Sequence, residues 1–332
     1  MRVGVIGTGF GRRVVAPVFS ATEGVDVVDV VSARDTDAIA SLCLRVDVDL
    51  VAVHSPPFLH AEHVQRALDG GRPAVLCDKP FGLTGAESAR VLAAAEAAGV
   101  IHLLNFEFRH HPARRRMREL VTGGALGSIR HLTWIHHSAA STQPLRQHGW
   151  LFRRELGGGW IGAWASHAID TVRWLLGEVD LESVHAVLRT DVPRRPTGDA
   201  DGSTDAVDTE DGLIADLLTR GSTTVSLDST FAAPAPTAPR IIVVGTKATL
   251  ECVADRRITV RSADGEQAEE IDVGSDHVDR HDAAMVRWAE VVRDAVHDRH
   301  QIEPSFADGL ACDLVLDRLR AGTRVVAPTD VD

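Results

Sequence analysis

Over the first hundred residues, short apolar runs alternate with helical patterns. Val3–Ile6, Val25–Val31, Leu50–Val53, Ala74–Cys77 and Ile101–Leu104 are apolar toward both faces, as strands of a buried parallel sheet must be. Among the stretches between them, Gly85–Ala98 is the clearest helix, with Val91, Leu92, Ala95 and Ala98 on one face. Thr84 and Glu87 have capping-box spacing at its start, and Gly99 supplies a stop. Repeated strand–helix units predict a right-handed, doubly wound sheet.

The pattern changes after Arg109. A basic helix over Pro112–Leu120 carries Arg114, Arg115, Arg116 and Arg118 and reads as a solvated face; Gly123-Gly124 then breaks the chain. From there, longer strands dominate: Ile129–His137, Val184–Arg189, Leu213–Leu218, Thr223–Asp228, Ile241–Val244, Ala248–Val253 and Arg257–Val260. Helices are expected at Ala165–Leu176, Asp282–His297 and Phe306–Arg320. Strands joined without intervening helices imply a largely antiparallel sheet. Asp191–Asp211, rich in Asp, Gly and Pro, reads as an exposed excursion. The expected fold class is α/β: a doubly wound parallel-sheet domain over 1–122, then an α+β domain with a large, mostly antiparallel open sheet over 123–332.

Composition narrows the class. With 332 residues, 44% of them hydrophobic and 25% charged, the chain suits two folded domains and is not a disordered one. A net charge of −12 argues against nucleic acid or an anionic membrane as the main partner. No apolar run approaches the ~18 residues of a membrane span, and Met1-Arg2-Val3 runs straight into a strand without the regions of a signal peptide. Cys43, Cys77, Cys252 and Cys312 are widely spaced and read as reduced core residues, so a cytoplasmic location is expected. Only Lys79 and Lys247 are lysines among 35 basic residues. Most of that bias reads as genomic habit, but arginine cannot replace an amine that must release a proton.

Gly7-Thr8-Gly9-Phe10-Gly11-Arg12 follows the first strand and opens a helix. In that context the glycines allow a tight turn and close approach to a pyrophosphate. Gly11 stands one place before the usual third glycine, and Arg12, at that position, is expected to point outward. At the end of the second strand, where an acid would hydrogen-bond a ribose 2′-hydroxyl, the chain has Ser32, with Arg34 two residues on. That favours NADP(H); read one register later, Asp35 restores an acid and with it NAD. No metal site is expected: His110-His111 and His136-His137 lack ligand spacing.

These pieces, together with others further along, resemble the Gfo/Idh/MocA oxidoreductases. The further pieces are Asp49-Leu50-Val51-Ala52-Val53-His54-Ser55-Pro56-Pro57 with His60; Cys77-Asp78-Lys79-Pro80; Arg109 ahead of Pro112; Gly124-Ala125-Leu126-Gly127; and Gly157-Gly158-Gly159 leading to His167-Ala168-Ile169-Asp170. The resemblance implies a Rossmann domain and an open-sheet domain whose exposed face forms a homodimer or homotetramer. The segment before Leu50 looks short, as though one strand or its helix were trimmed. Asp78-Lys79-Pro80 matches the family's Glu-Lys-Pro, whose lysine hydrogen-bonds the reacting hydroxyl. The family's Asp four residues before the His is absent, being Ala163 here; Asp170, one turn beyond His167, is the candidate to orient that imidazole.

The expected catalytic residues are therefore Lys79, His167 and Asp170. Gly7, Thr8, Gly9, Phe10, Gly11, Arg12, Ser32, Arg34, Ser55, Pro56, His60, Asp78 and Lys79 are expected at the cofactor, and Arg109, Trp150 and Trp164 at a substrate. The expected activity is NAD(P)-dependent interconversion of a hydroxyl and a carbonyl on a sugar-derived or cyclitol-like molecule. Imine reduction, redox-assisted glycoside chemistry, or a non-catalytic NADP-binding regulator are the alternatives.

Overall fold

The computed structural model describes residues 1–274 and 281–326, and the chain divides into two compact units. The first comprises Met1–His111 and Gly274–Leu314. Its five parallel strands are β1 (Arg2–Ile6), β2 (Asp26–Val31), β3 (Leu50–Val53), β4 (Ala74–Cys77) and β5 (Ile101–Leu104), in the order β2-β1-β3-β4-β5. The connections carry α1 (Ala16–Ala21), α2 (Thr36–Leu44), α3 (His60–Asp69) and α4 (Gly85–Ala98). From β1 the chain steps to β2 on one side and resumes at β3 on the other, and at such a switch point open α/β sheets bind ligands beyond their carboxyl ends.

The alternation rule located these strands, three of them with the expected bounds. β2 is the exception in character: as an edge strand it leaves Asp26 and Asp29 at the surface. Between β2 and β3 the sole regular element is α2, so the short segment there has kept its helix and lacks a strand. Thr84 caps α4 by accepting from the Glu87 N–H, while the Glu87 carboxylate accepts from the Leu83 N–H; Gly99 ends the helix at φ +63°. Its covered positions are Gly85, Ser88 and Ala95, and Ala98 is exposed, not on the core face as expected.

The second unit comprises 112–273 and 315–332 by chain division. It begins with α5 (Pro112–Thr122) and β6 (Ile129–His137), and continues through α6 (Ser166–Leu176) and β7 (His185–Thr190). A small hairpin follows, β8 (Arg194–Pro196) with β9 (Thr204–Ala206). The remaining strands are β10 (Gly212–Leu218), β11 (Thr224–Thr230), β12 (Arg240–Gly245), β13 (Ala248–Val253), β14 (Arg257–Ser262), β15 (Gly265–Glu270) and β16 (Thr323–Val326). The nine-stranded sheet runs β15-β14-β13-β12-β6-β11-β10-β7-β16, antiparallel except where β6 meets β11 and β7 meets β16. Burial alternates along its strands, as in β10 and β13, so one face is covered and the other is open. Trp134, Leu227, Val243 and Leu250 lie on the covered face; Val187 and Ile214 stand out on the open one.

Three expectations change here. The domain division is not a single cut after residue 122. The helix α7 (Asp282–His297) returns to the first unit because its apolar stripe, Met285, Trp288, Ala289 and Val292, joins Val3, Val5, Phe19 and Leu76 in one core. The basic helix is not simply a solvated face: Arg114 is buried, pairs with Asp255 at 3.0 Å, donates to Thr171 and lies over the Trp134 ring. Nor is 191–211 all exposed. Arg195 is fully buried, donating to the Ser141 carbonyl and hydroxyl and stacking on Phe152, and Thr209, Glu210 and Asp211 are buried too. Local polarity marked these stretches as surface, and pairing carried the charges inside. Phe306–Arg320 forms α8 as expected.

Candidate functional site

Backbone bonds between successive strand ends line up the first set of residues. The His54 N–H donates to the Ile6 carbonyl, the Asp78 N–H to Val53 and the Asn105 N–H to Cys77, at 2.7, 2.8 and 2.8 Å. Gly7, His54, Asp78 and Asn105 thus form a row along the carboxyl edge of β1, β3, β4 and β5.

The glycine turn is built for this edge. Gly7 sits at φ +131°, and a Cβ there would come within 2.2 Å of the His54 carbonyl oxygen, so neither the conformation nor the space admits a side chain. Gly9 has no atom within 4 Å of its Cβ direction, which leaves the backbone over the turn approachable. Gly11 packs its missing side chain against Val5, 2.9 Å away. The close helix–strand contact expected of the third glycine is therefore made one residue early. Beyond it the chain takes a π-helical turn over Gly11–Val15 before α1. Arg12 points outward, as expected, and donates to the Val30 carbonyl at 3.1 Å. Thr8 is exposed and Phe10 half-buried beside His54.

At the end of β2, Ser32 Oγ accepts from the Arg34 N–H, and Arg34 is exposed. Asp35 caps α2, accepting from the Ala38 N–H at 3.0 Å. The Asp35 carboxylate is thus engaged in holding a helix.

Lys79 is half-buried, two residues past β4. Its own N–H donates to Asp78 Oδ1, which also accepts from Asn105 Nδ2, while His54 Nδ1 lies 3.3 Å from Asp78 Oδ2. Burial works against the Asp78 charge, but hydrogen bonding and attraction from His54, with the Lys79 ammonium adding to it, hold this carboxyl well below the usual range. Ser55 is buried and its hydroxyl meets His63 Nδ1 at 3.0 Å; burial pushes His63 down to about 4. His60 links the Ser55 and Pro80 carbonyls. His63 and Asn105 escaped the sequence reading, and His54 entered it only as part of the 49–57 stretch, without a role of its own. Asn105 had a usable signal, since it follows β5 as Asp78 follows β4.

Arg109, expected at a substrate, is buried, donates to Asp308 at 2.8 Å and lies 3.7 Å from Glu303. Those partners make it a fastening residue of the first unit.

The second set belongs to the other unit. His167 and Asp170 are both buried on α6. The Thr171 hydroxyl donates to the His167 carbonyl and accepts from Arg114, fixing that turn of helix. α6 is entered through a π-helical turn, Ile161–Ala165, that contains Ala163 and Trp164. Its first N–H, from Ile161, donates to the buried Glu210 carboxylate at 3.0 Å. Burial raises the pKa of Glu210. This carboxylate also explains Gly159: at φ +102°, a Cβ there would fall 2.2 Å from Glu210 Oε1. Trp164 is buried edge-on to Trp134, and Trp160 stacks on Phe231 at 4.4 Å; Trp150 stays partly exposed. Among the described residues no group of three or more metal-ligating side chains converges, and no helix is long and apolar enough to cross a membrane.

A Rossmann sheet with a glycine turn, a lysine beside it and a separate mixed sheet define the class of nicotinamide-type oxidoreductases. Residues 1–106 match the model of the oxidoreductase family with NAD-binding Rossmann fold, and residues 114–251 match the Gfo/Idh/MocA C-terminal domain. The chain belongs to the Gfo/Idh/MocA family. It is 32% identical over 213 residues to an uncharacterized oxidoreductase of Synechocystis, covering 59% of this chain and 56% of that protein. It is 32% identical over 167 residues to levoglucosan dehydrogenase of Pseudarthrobacter phenanthrenivorans, covering 50% and 42%. These matches span about half the length of those relatives. The solved structure of levoglucosan dehydrogenase with NADH and L-sorbose superposes with a TM-score of 0.84 at 22% identity, over 97% of this chain and 96% of that one; it shares the fold.

Proposed function

We propose that this chain is an NADP(H)-dependent oxidoreductase that interconverts a hydroxyl and a carbonyl on a sugar-derived or cyclitol-like molecule. The observation that carries this reading is Lys79, one of two lysines in the chain, standing half-buried on the ligand edge of the sheet beside an Asp78 kept charged. Gly7, Thr8, Gly9, Phe10 and Gly11 would hold a pyrophosphate against the helix entry. Ser55, Pro56 and Asp78 would flank the reacting end, with His60 buried behind them between the Ser55 and Pro80 carbonyls. Arg12, Ser32 and Arg34 would receive a 2′-phosphate, since Asp35 is engaged as a cap. A bound nicotinamide dinucleotide supplies or accepts the hydride. Lys79 Nζ donates a proton to the carbonyl oxygen in reduction and takes it back in oxidation.

The sugar-like substrate class is supported by the levoglucosan dehydrogenase relative. Four buried cysteines that form no disulfide with one another suit a reducing compartment such as the cytoplasm. The open sheet face, with Val187, Ile214 and Leu218 exposed, supports a homodimer or homotetramer formed through it.

Equilibrium titration with both cofactors and a polyol and ketose panel test the reading. NADPH should bind more tightly than NADH, and Arg34→Ala should narrow the gap by about tenfold. Lys79→Met should lower kcat by about 10²–10⁴ while cofactor affinity stays within about threefold. Tighter NADH binding would overturn the cofactor assignment, and an active Lys79→Met would overturn the mechanism.

A further inference from the structure

His60 opens α3 and is 1% exposed. Its Nδ1 lies 2.9 Å from the Pro80 carbonyl oxygen and its Nε2 lies 2.8 Å from the Ser55 carbonyl oxygen. Neither carbonyl can donate. A neutral imidazole has one N–H, so it bonds one of these oxygens and turns a lone pair toward the other; the imidazolium bonds both. The two oxygens belong to the turn after β3 and the turn after β4. The position of the proton on one buried ring therefore decides which turn is drawn in.

We propose that His60 is a positioning residue that sets the spacing between the Ser55-Pro56 turn and the Lys79-Pro80 turn, Nε2–H holding the first and Nδ1–H the second. This rests on the reading of Lys79 as the proton-transfer group and of Ser55-Pro56 as a cofactor contact. The titratable groups around the ring are Asp78, which favours a second proton, His54, which opposes it, Lys79 on the same turn as Pro80, and His63 across the Ser55 hydroxyl. Burial outweighs the help from Asp78 and the two carbonyls and keeps the ring's pKa below its ordinary value. At neutral pH one proton thus serves two acceptors, and acidification adds the second tie.

Conservative variants separate the two ties, because an Asn amide nitrogen occupies the place of Nδ1 and a Gln amide nitrogen that of Nε2. Reductive ¹³C-methylation gives two side-chain lysine signals in this chain, with Lys247 as the internal control. His60→Gln should shift the Lys79 signal and leave NADPH affinity within about threefold; His60→Asn should leave the Lys79 signal in place and weaken NADPH binding about tenfold. Identical behaviour of the two variants on both readouts would overturn the proposal. Ring ¹⁵N spectra of the unsubstituted protein, which need no variant to fold, should show the two His60 nitrogens sharing one proton at neutral pH, with the second proton added only at a pH below that at which a solvated imidazole takes it up. A single fixed tautomer at neutral pH would also overturn it. Neither measurement requires turnover, so failure of the Lys79 mechanism would show separately, in the kinetics alone.

Discussion

The two units bury their sheets in different ways, and their functional residues follow suit. In the first, both faces of the parallel sheet are covered: Val3, Val5 and Leu76 meet α1 and α7, while Gly4 lies against Leu42 of α2. Chemistry is left to the strand ends, where Gly7, His54, Asp78 and Asn105 stand in a row. In the second, one face is open and the candidate residues His167 and Asp170 ride on a covering helix. A doubly covered sheet offers its edge, whereas a singly covered one works through what covers it.

The comparison is broken most easily at the centre of the covered face. Trp160 is buried, stacked on Phe231, and bonded through its indole N–H to Ser229. Trp160→Ala should cost about 3–5 kcal/mol in chemical denaturation. A loss under about 1 kcal/mol would mean that this face is not a packed core.

Mild acid should act on the units with opposite sign. His63 takes up a proton near 6.5 when unfolded but only at about 4 when folded. Between those values the unfolded chain binds more protons, so stability falls as the pH drops, by roughly 3 kcal/mol across the whole interval. Burial also lowers His60 and His102 in the same unit. In the second unit, burial raises Glu210 and Asp211. Their ionisation costs stability at neutral pH, and that cost is relieved as pH falls through their raised values. Hydrogen exchange at neutral pH and near pH 5 should show protection lost in β1, β3 and β4 but kept in β6 and β11. Equal loss in both sheets would remove the distinction, and His63→Gln should make the first unit's response shallower.

The smallest effect belongs to the open face. Ile214→Lys, at a side chain 46% exposed, should change the stability of the isolated chain by no more than about 0.5 kcal/mol. Its effect should appear instead as a shift toward monomer in sedimentation, and an unchanged oligomer would exclude this face as the interface.

The same contrast explains what could be read from sequence. Leu50–Val53 and Ala74–Cys77 were legible to the residue because strands buried on both faces are written as unbroken apolar runs. α4 was legible because its cap is local in sequence. β15, Gly-Glu-Gln-Ala-Glu-Glu, was not, for it is an exposed edge strand held by pairing with β14 and has no apolar pattern to show. In the site, Gly7, Lys79 and the outward Arg12 were visible because their turns are short-range motifs. Arg114 with Asp255, Arg109 with Asp308 and Gly159 with Glu210 were hidden by the long separations along the chain at which each pair is made.

The return of α7 to the first unit also bears on how the protein is made. The glycine turn leaves the ribosome early, yet Met285, Trp288, Ala289 and Val292, which complete its core, come after every strand of the second unit's sheet except β16. At ordinary elongation rates the gap between His111 and Trp288 lasts roughly 10–35 s. Throughout that time one side of the nascent nucleotide-binding sheet lacks its Trp288 helix. The first unit, although its sequence begins first, is therefore still incomplete when β6 to β15 of the second have been made, and the second in turn waits for β16, which follows α7 in the chain.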